Sequence, residues 1–262
     1  MNWQNDKLPL GFRSTNSQVE RDLLFHTHLK LHPIPYILYL VAYHSWDKIT
    51  IDDFSNENIE ALYEKGYVFT RTGRGNMNQT RSIRVDLSKF ELSSENRRIL
   101  TKIKGTEINV ENLPLPPEAE SYRWRIAKMA KDFYDKKFGK GVFSANKVRE
   151  LLTSKESNFN LLMTYVWQEN RVAYAICFGT KNILHYSYPF YVLEGAPTNA
   201  GMGMMLMALL LAKEEGDKYV YLGSATRPGD IYKLQFKGLE YYDKDRGWTS
   251  NLDSLKSILK TA

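Results

Sequence analysis

The sequence has a single cysteine, Cys177, among its 262 residues. One thiol excludes a disulfide scaffold and any metal or iron–sulfur site built from several thiolates. A membrane-spanning helix needs roughly 20 apolar residues, and the longest apolar run, residues 201–212, is followed at once by charged residues. The first ten residues carry charges and no long apolar stretch. We therefore expect no secretion signal, no membrane partner and a cytoplasmic protein.

The charge is unevenly distributed along the chain. Its net value is +6, with a sequence pI near 9.1 and 43% hydrophobic residues, which excludes an intrinsically disordered chain. Nine of the 36 basic residues, but three of the 30 acidic ones, lie between positions 71 and 104, so the rest of the chain is balanced. Two interpretations stay open for this basic segment: a solvated surface, or a contact with the phosphate backbone of a nucleic acid.

The first part of the chain, residues 1–104, predicts a small α+β region. A helix is expected over residues 58–66, where glycine ends it, and strands over residues 67–69 and 82–87. Ser93 is typical of the residue that caps the start of a helix. Residues 105–117 contain three prolines and predict an extended linker.

The second part, residues 118–262, predicts an α/β domain. Two helices are expected over residues 118–137 and 146–152, followed by three strands over 161–167, 171–178 and 183–188. The buried apolar helix 201–212, a returning strand over 219–223, a short helix near 230–234 and a last strand near 239–242 complete the order. Such an order gives a mixed, mostly antiparallel sheet with a parallel return strand. It resembles the GNAT acyltransferase fold.

Four segments carry a more specific resemblance. Residues 201–223 form an apolar helix ending AKEEG and a strand YVYLG, and residues 232–238 have the sequence YKLQFKG. Residues 83–100 and 62–67 carry IRVDLSKFELSSENRRIL and LYEKGY. In this order and spacing they are similar to motifs of the arginyl-tRNA–protein transferase family. That family transfers an amino acid from a charged tRNA to a protein N-terminus.

The sequence departs from that family at several positions. The N-terminal cysteines that bind a metal or iron–sulfur cluster in the family would fall near Ile34 and across residues 75–81, and none is present. Ala208 replaces a usual glutamate, residues 199–201 replace the Ser-Leu-Gly entry to the helix, and residues 192–193 replace an Asp-Pro. The resemblance therefore implies a divergent member without the metal cluster, whose donor or acceptor differs.

The resemblance also implies roles for particular residues. Arg84, Arg97 and Arg98 would face the acceptor arm of the tRNA, with surface charge as the alternative. Backbone amides at Gly201 and Gly203 would meet the terminal phosphate or carbonyl, unless these glycines allow close packing of helix on sheet. The residues expected to line the pocket near the ester are Tyr221, Gln235 and Lys237, with Lys237 and Gln235 the best catalytic candidates and packing the alternative for Tyr221.

Three function classes remain open at this point. The first is aminoacyl transfer from charged tRNA to an amine, with a protein or peptide N-terminus as the expected acceptor, which needs no cofactor beyond that co-substrate and no dedicated nucleophile. The second is a coenzyme A-dependent GNAT N-acyltransferase, although Thr198 stands where the pyrophosphate loop has Arg or Gln. The third is a non-catalytic RNA-binding relative. His26, His28 and His32 have a spacing that fits no metal site, and none is expected; Cys177, in an apolar strand, is expected to be buried and inert.

Overall fold

The computed structural model describes residues 45–116 and 120–261. The strands are β1 Asp47–Thr50, β2 Tyr67–Phe69, β3 Asn76–Gln79, β4 Ser82–Asp86, β5 Thr106–Asn112, β6 Leu161–Trp167, β7 Asn170–Gly179, β8 Ile183–Tyr191, β9 Tyr219–Ser224, β10 Leu239–Asp243 and β11 Gly247–Thr249. The helices are α1 Asn56–Glu64, α2 Ser94–Lys102, α3 Glu120–Phe138, α4 Ala145–Thr153, α5 Ala200–Glu215, a 3₁₀ helix Pro228–Gln235 and α6 Leu252–Thr261.

The described strands form two sheets. Three short strands pair in the order β1-β3-β2, and eight form the main sheet in the order β11-β10-β4-β9-β8-β7-β6-β5. Within the described part of the chain, β8 and β9 are the one pair that runs parallel, with α5 as their crossover. The predicted α/β class with a mixed, mostly antiparallel sheet is confirmed.

Local sequence signals explain where several helices begin and end. At the start of α2, the Ser93 hydroxyl accepts the Asn96 N–H at 3.1 Å, and the Asn96 side chain accepts the Ser93 N–H at 3.2 Å. This reciprocal arrangement satisfies two N–H groups that a helix start leaves without partners. Gly216 ends α5 with φ at +86°, a left-handed conformation that favours glycine.

The main sheet has a hydrophobic core on each face. Strand β7 shows the alternation: Ala173, Ala175 and Cys177 belong to the core around α5, whereas Tyr174 and Ile176 belong to the core beneath α3 and α4. Successive side chains of a strand point to opposite faces, which produces this division. Helix α5, apolar on all sides, lies between the sheet and further partners including α2. Its buried methionines fill core space, and Cys177 is fully buried, with its pKa raised to about 12 by burial.

The two parts of the chain predicted as separate regions, residues 1–104 and 118–262, both contribute strands to the main sheet. Strand β4, from the part predicted as residues 1–104, hydrogen-bonds between β9 and β10. Strand β5 lies inside the segment 105–117, which was predicted as a linker, and pairs with β6 over its whole length. The polar sequence of β5, TEINVEN, fits its place at the edge of the sheet, where most of its side chains stay exposed. Residues 105–112 therefore extend the sheet instead of separating two domains.

Candidate active site

The main sheet opens where β8 and β9 separate. Their parallel pairing covers three residue pairs and ends at His185 and Tyr221. Beyond this point β8 continues beside β7 as far as Tyr191, while β9 continues beside β4 as far as Ser224. We call the opening between the two diverging strands the splay. It places the backbone of both strands, and the 3₁₀ helix that follows β9, around one crevice.

A buried histidine lies at the closed end of the splay. His185 is 3% exposed, and its Nδ1 lies 2.9 Å from the Tyr63 hydroxyl. Burial, with the positive charge of Lys233 as a smaller cause, lowers the pKa of His185 to about 3. The imidazole is therefore neutral at pH 7, and Tyr63 holds its orientation.

A buried ion pair lies beside this histidine. The Lys233 ammonium donates to the Ser224 carbonyl at 3.1 Å and lies 3.3 Å from an Asp230 carboxylate oxygen. The other Asp230 oxygen accepts the backbone N–H groups of Thr226 and Arg227 at 3.1 and 3.0 Å. Burial lowers the pKa of Lys233, against the effect of Asp230. For Asp230, burial acts to raise the pKa, but Lys233 and the two N–H groups hold it below its ordinary value.

This arrangement fixes a largely buried cation, with 13% side-chain exposure, at the end of β9. A positive charge held in place before reaction stabilises negative charge that develops on an oxygen, and such stabilisation is strongest in a dry site. Lys233 already binds Ser224 and Asp230, so it needs no rearrangement to meet a developing oxyanion. The site therefore suits acyl transfer through a tetrahedral intermediate.

Acidification is expected to destabilise the fold through His185. Its folded pKa of about 3 lies below the ordinary value of 6.5, so the unfolded chain binds the additional proton between these values. The free energy of unfolding should fall as pH drops through this window, by at most about 1.4 kcal/mol per pH unit for one proton. Urea denaturation at pH 7, 6 and 5 measures this slope. His185→Gln should show a shallower slope than wild type; an equal slope would contradict the assignment.

An open groove lies along α3, and Tyr191 at the end of β8 is part of its lining. It has a volume of about 410 Å³ and runs between α3 and the segment after β8, residues 192–194. The ring centroids of Phe133 and Tyr191 lie 4.8 Å apart on its lining. Tyr191 also contacts the start of α5, since a Cβ added to Gly201 would lie 3.3 Å from its ring. The groove thus runs from α3 to the end of β8, beside the beginning of α5.

The structure places Arg84 in the interior instead of on a tRNA-facing surface. The residue is 5% exposed and lies in β4. Its guanidinium forms ion pairs with Glu64 at 2.7 Å and Glu240 at 3.0 Å, and donates to the Tyr221 hydroxyl at 3.2 Å. It lies between two aromatic rings, 3.8 Å from the centroid of Tyr219 and 4.0 Å from that of Trp248. Arg84 therefore stabilises the sheet, and the prediction that it contacts tRNA is wrong.

Two other predicted site residues also have structural contacts. Tyr221 is fully buried, and its ring packs edge-on against Tyr63 at 4.8 Å, so it does not line an open pocket. The N–H of Gly203 donates to the Asn199 carbonyl at 2.8 Å, and a Cβ at Gly203 would lie 2.6 Å from Ile103. This N–H is not available to a phosphate, which also weakens the coenzyme A interpretation. Close packing of α5 against Ile103 is the reason for glycine here.

Four further predicted residues are exposed, whereas Gly201 is half-buried. Arg97 donates to the Leu92 carbonyl at 2.6 Å, and Arg98 pairs with Glu95 at 2.5 Å, both on the surface of α2. Gln235 donates to the Tyr232 carbonyl at 2.7 Å, and Lys237 pairs with Glu91 at 2.7 Å. Apart from the Arg84–Tyr221 contact, the described contacts do not join the predicted site residues to one another.

Sequence reasoning missed the residues that the splay brings together. Lys233, Asp230 and His185 come from β8 and from the 3₁₀ helix after β9, and each looks ordinary in the sequence. One signal was available, because Lys233 stands in the segment YKLQFKG on which the family resemblance rests. Lys237 and Gln235 of that segment were the predicted catalytic residues, whereas Lys233 is the lysine whose side chain is largely buried, at 13% exposure.

No group of three or more His, Cys, Asp or Glu side chains that could hold a metal occurs in the described ranges 45–116 and 120–261. Within the same residues, no helix has the length and apolar character needed to cross a membrane. His26, His28 and His32, and the position near Ile34 where the family has a cysteine, lie outside the described residues.

Comparison with known proteins gives distant structural likenesses. No protein-family model and no curated protein matches the sequence. A C-terminal domain of a putative lysylphosphatidylglycerol synthetase from Agrobacterium fabrum has a TM-score of 0.42 and 14% identity, with 79% of this chain and 57% of that chain covered. FemX has a TM-score of 0.39 and 10% identity, with 80% and 66% covered. A GCN5-related N-acetyltransferase from Kribbella flavida has a TM-score of 0.34 and 14% identity, with 70% and 59% covered.

Proposed function

We propose that the protein transfers an aminoacyl group from a charged tRNA to an amine, forming an amide bond, with a protein or peptide N-terminus as acceptor. The observation that carries this proposal is the Lys233–Asp230 ion pair buried in the splay. The resemblance of residues 62–238 to the arginyl-tRNA–protein transferase family supports it, although the family's cysteines are absent. The chemistry requires no cofactor beyond the aminoacyl-tRNA.

The reaction requires little covalent chemistry from the protein. The amine nitrogen attacks the carbonyl carbon of the aminoacyl ester, the carbonyl oxygen becomes negative, and the ester bond to the 3′ oxygen of the tRNA breaks. The nitrogen loses a proton and the departing 3′ oxygen gains one, so no net proton is consumed. Lys233 stabilises the negative oxygen of the intermediate. The groove along α3 holds the acceptor close to the ester, which lowers the entropic cost of the reaction.

The tRNA-binding surface in this proposal is the exposed side of α2. Arg97, Arg98, Lys102 and Lys104 are all exposed there. Ile103, between the two lysines, contacts Gly203 near the start of α5. The charges therefore lie close to the end of the groove, where a bound 3′ terminus would enter. Of the basic segment 71–104, this part alone combines exposure, several cations and closeness to α5.

The tRNA-binding surface is tested by the salt dependence of affinity. We expect binding of charged tRNA to weaken steeply as salt rises, because cations on α2 release counterions from the phosphates. The double variant Arg97→Ala with Arg98→Ala should reduce the slope of log K against log salt by about 1 to 2. Filter binding at four salt concentrations measures the slope.

Arg74→Ala is the matched control for this experiment. Arg74 belongs to the same basic segment, but it donates to the Lys155 carbonyl and lies over the ring of Phe54. The control should keep the wild-type slope. No measurable tRNA binding, or an unchanged slope in the double variant, would overturn the assignment of α2.

A further inference from the structure

Six of the seven exposed large hydrophobic residues in the described ranges lie around the mouth of the splay. They are 37–62% exposed, whereas most residues of this type are buried in the two cores. The six are Trp124 and Phe138 on α3, Val142 after α3, Leu193 after β8, and Ile231 and Tyr232 on the 3₁₀ helix. We call them the apolar belt. Exposed apolar residues that cluster in this way mark an interaction surface.

Aromatic contacts connect the members of the apolar belt. Trp124 and Leu193 line the groove together with Phe133, whose ring lies 6.4 Å from that of Phe138. The guanidinium of Arg227, which directly precedes the 3₁₀ helix, lies 5.3 Å from the ring centroid of Phe138. The belt therefore spans three elements of the fold and surrounds one opening.

Val142, the belt member after α3, lies beside a residue that packs against Tyr134 of α3. The ring of Tyr134 lies 5.0 Å from that of Phe143, the residue after Val142. The Tyr134 hydroxyl donates to the Pro189 carbonyl at 3.3 Å, on β8 beyond the point of separation. These contacts place the belt on the side where the splay opens.

Basic residues surround the same surface. Between positions 124 and 143 there are six basic residues and two acidic ones. The two aspartates pair within α3, Asp132 with Lys128 at 2.5 Å and Asp135 with Lys131 at 2.7 Å. The exposed cations that remain, with no carboxylate within 4 Å among the described ion pairs, are Arg125, Lys136, Lys137 and Lys140. Apolar side chains bordered by cations are the composition that binds the interface of an anionic bilayer.

We propose that the apolar belt docks the protein on an anionic membrane surface, with the mouth of the splay facing the lipid headgroups. Leu193, Ile231 and Val142 have no flat surface for stacking on a nucleic-acid base, but they can enter the acyl boundary of a bilayer. Trp124 and Tyr232 are of the types enriched at membrane interfaces. This replaces the expectation of no membrane partner. It goes beyond the proposed function and stands independently of it, because the belt is exposed whatever reaction the splay performs.

The test is sedimentation of the full chain with vesicles of one part phosphatidylglycerol to two parts phosphatidylcholine. We expect binding to these vesicles, and much weaker binding to phosphatidylcholine alone, because the cations need an anionic surface. The variant Trp124→Ser with Leu193→Ser should bind anionic vesicles about tenfold or more weakly. Lys136→Glu with Lys137→Glu should also weaken binding. The affinity of each variant for tRNA is measured in parallel.

Two control variants match these changes in type. Val110→Ser removes the one described exposed large hydrophobic residue outside the belt, on the edge strand β5. Lys102→Glu with Lys104→Glu makes the same charge change on α2. Both should sediment with anionic vesicles as wild type does, and the α2 variant should lose tRNA affinity instead.

Three results would overturn the membrane proposal. The first is that wild type remains in the supernatant with anionic vesicles. The second is that Val110→Ser loses as much vesicle binding as the belt variant. The third is that the belt variant loses tRNA affinity while keeping vesicle binding. The last result would assign the belt to RNA. Vesicle binding and tRNA binding are separate measurements, so failure of the membrane proposal and failure of the proposed function can be distinguished.

Discussion

Replacing Lys233 by methionine is expected to lower the rate of aminoacyl transfer by about 10²- to 10³-fold, the typical cost of removing one group that stabilises an oxyanion. Methionine keeps most of the side-chain volume but removes the ammonium that binds Ser224 and Asp230. The tRNA affinity should be unchanged, because α2 carries the phosphate contacts in the proposal. Single-turnover transfer with saturating charged tRNA measures the rate of the chemical step.

Lys237→Met is the matched control for Lys233→Met. Lys237 is the same residue type four positions later, but its side chain is 59% exposed and pairs with the exposed Glu91. It should keep at least about half of the wild-type rate, since exposed ion pairs contribute little. In Lys233→Met the Asp230 carboxylate loses its cationic partner Lys233. A variant with both Lys233→Met and Asp230→Asn removes that charge and controls for its effect. If this folded double variant transfers at the wild-type rate, Lys233 has no role in the reaction.

Replacing Arg84 by methionine is expected to lower the free energy of unfolding by about 3 kcal/mol, because it removes charge-assisted hydrogen bonds to two carboxylates and a donor to the buried Tyr221 hydroxyl. Glu240, at 16% side-chain exposure, would keep only the exposed Lys89 at 3.4 Å among its described cationic partners, and Tyr221 would lose a hydrogen-bond donor. Burial alone would lower the pKa of Arg84, but Glu64 and Tyr221 hold it above its ordinary value, so the group is charged at all working pH values. Urea denaturation at pH 7 measures the loss.

Arg98→Met is the control for this stability measurement. Arg98 pairs with Glu95 on the surface of α2, and removing such an exposed pair costs about 0 to 1 kcal/mol. If Arg84→Met unfolds at the same urea concentration as wild type while losing tRNA affinity, Arg84 binds tRNA and its structural role is wrong.

Periodic patterns predicted most of the main sheet. Strand β6 has the predicted bounds, and β7, β8, β9 and α5 differ from the prediction by only a few residues at their ends. Each has strong periodicity or a long apolar run bounded by turn residues. Strand β5 was missed because an edge strand needs few apolar side chains, so TEINVEN lacks a strand pattern. Strand β11 and helix α6, after the predicted last strand, were also missed.

The candidate site was less predictable, because burial decides what a charged residue does. Arg84, Arg97 and Arg98 belong to one basic segment and look alike in the sequence. Arg84 lies on β4 and points into the interior, where two carboxylates and two aromatic rings surround it. Arg97 and Arg98 lie on α2 and are exposed. Lys233 and Lys237 differ in the same way. Sequence alone contains no signal for the separation of β8 from β9, which creates the site.

The central claim is tested most directly by transfer of a labelled amino acid from charged tRNA to acceptor peptides that differ in their first residue. A panel of charged tRNAs and peptides covers the donor and the acceptor together, with product identified by mass spectrometry. The proposed transfer predicts an amide product for at least one pair of tRNA and peptide. Wild type and Lys237→Met should form it, and the rate should be about a hundredfold or more lower in Lys233→Met. The proposed transfer is contradicted if no pair gives product while tRNA still binds, which would make the chain a non-catalytic RNA-binding protein.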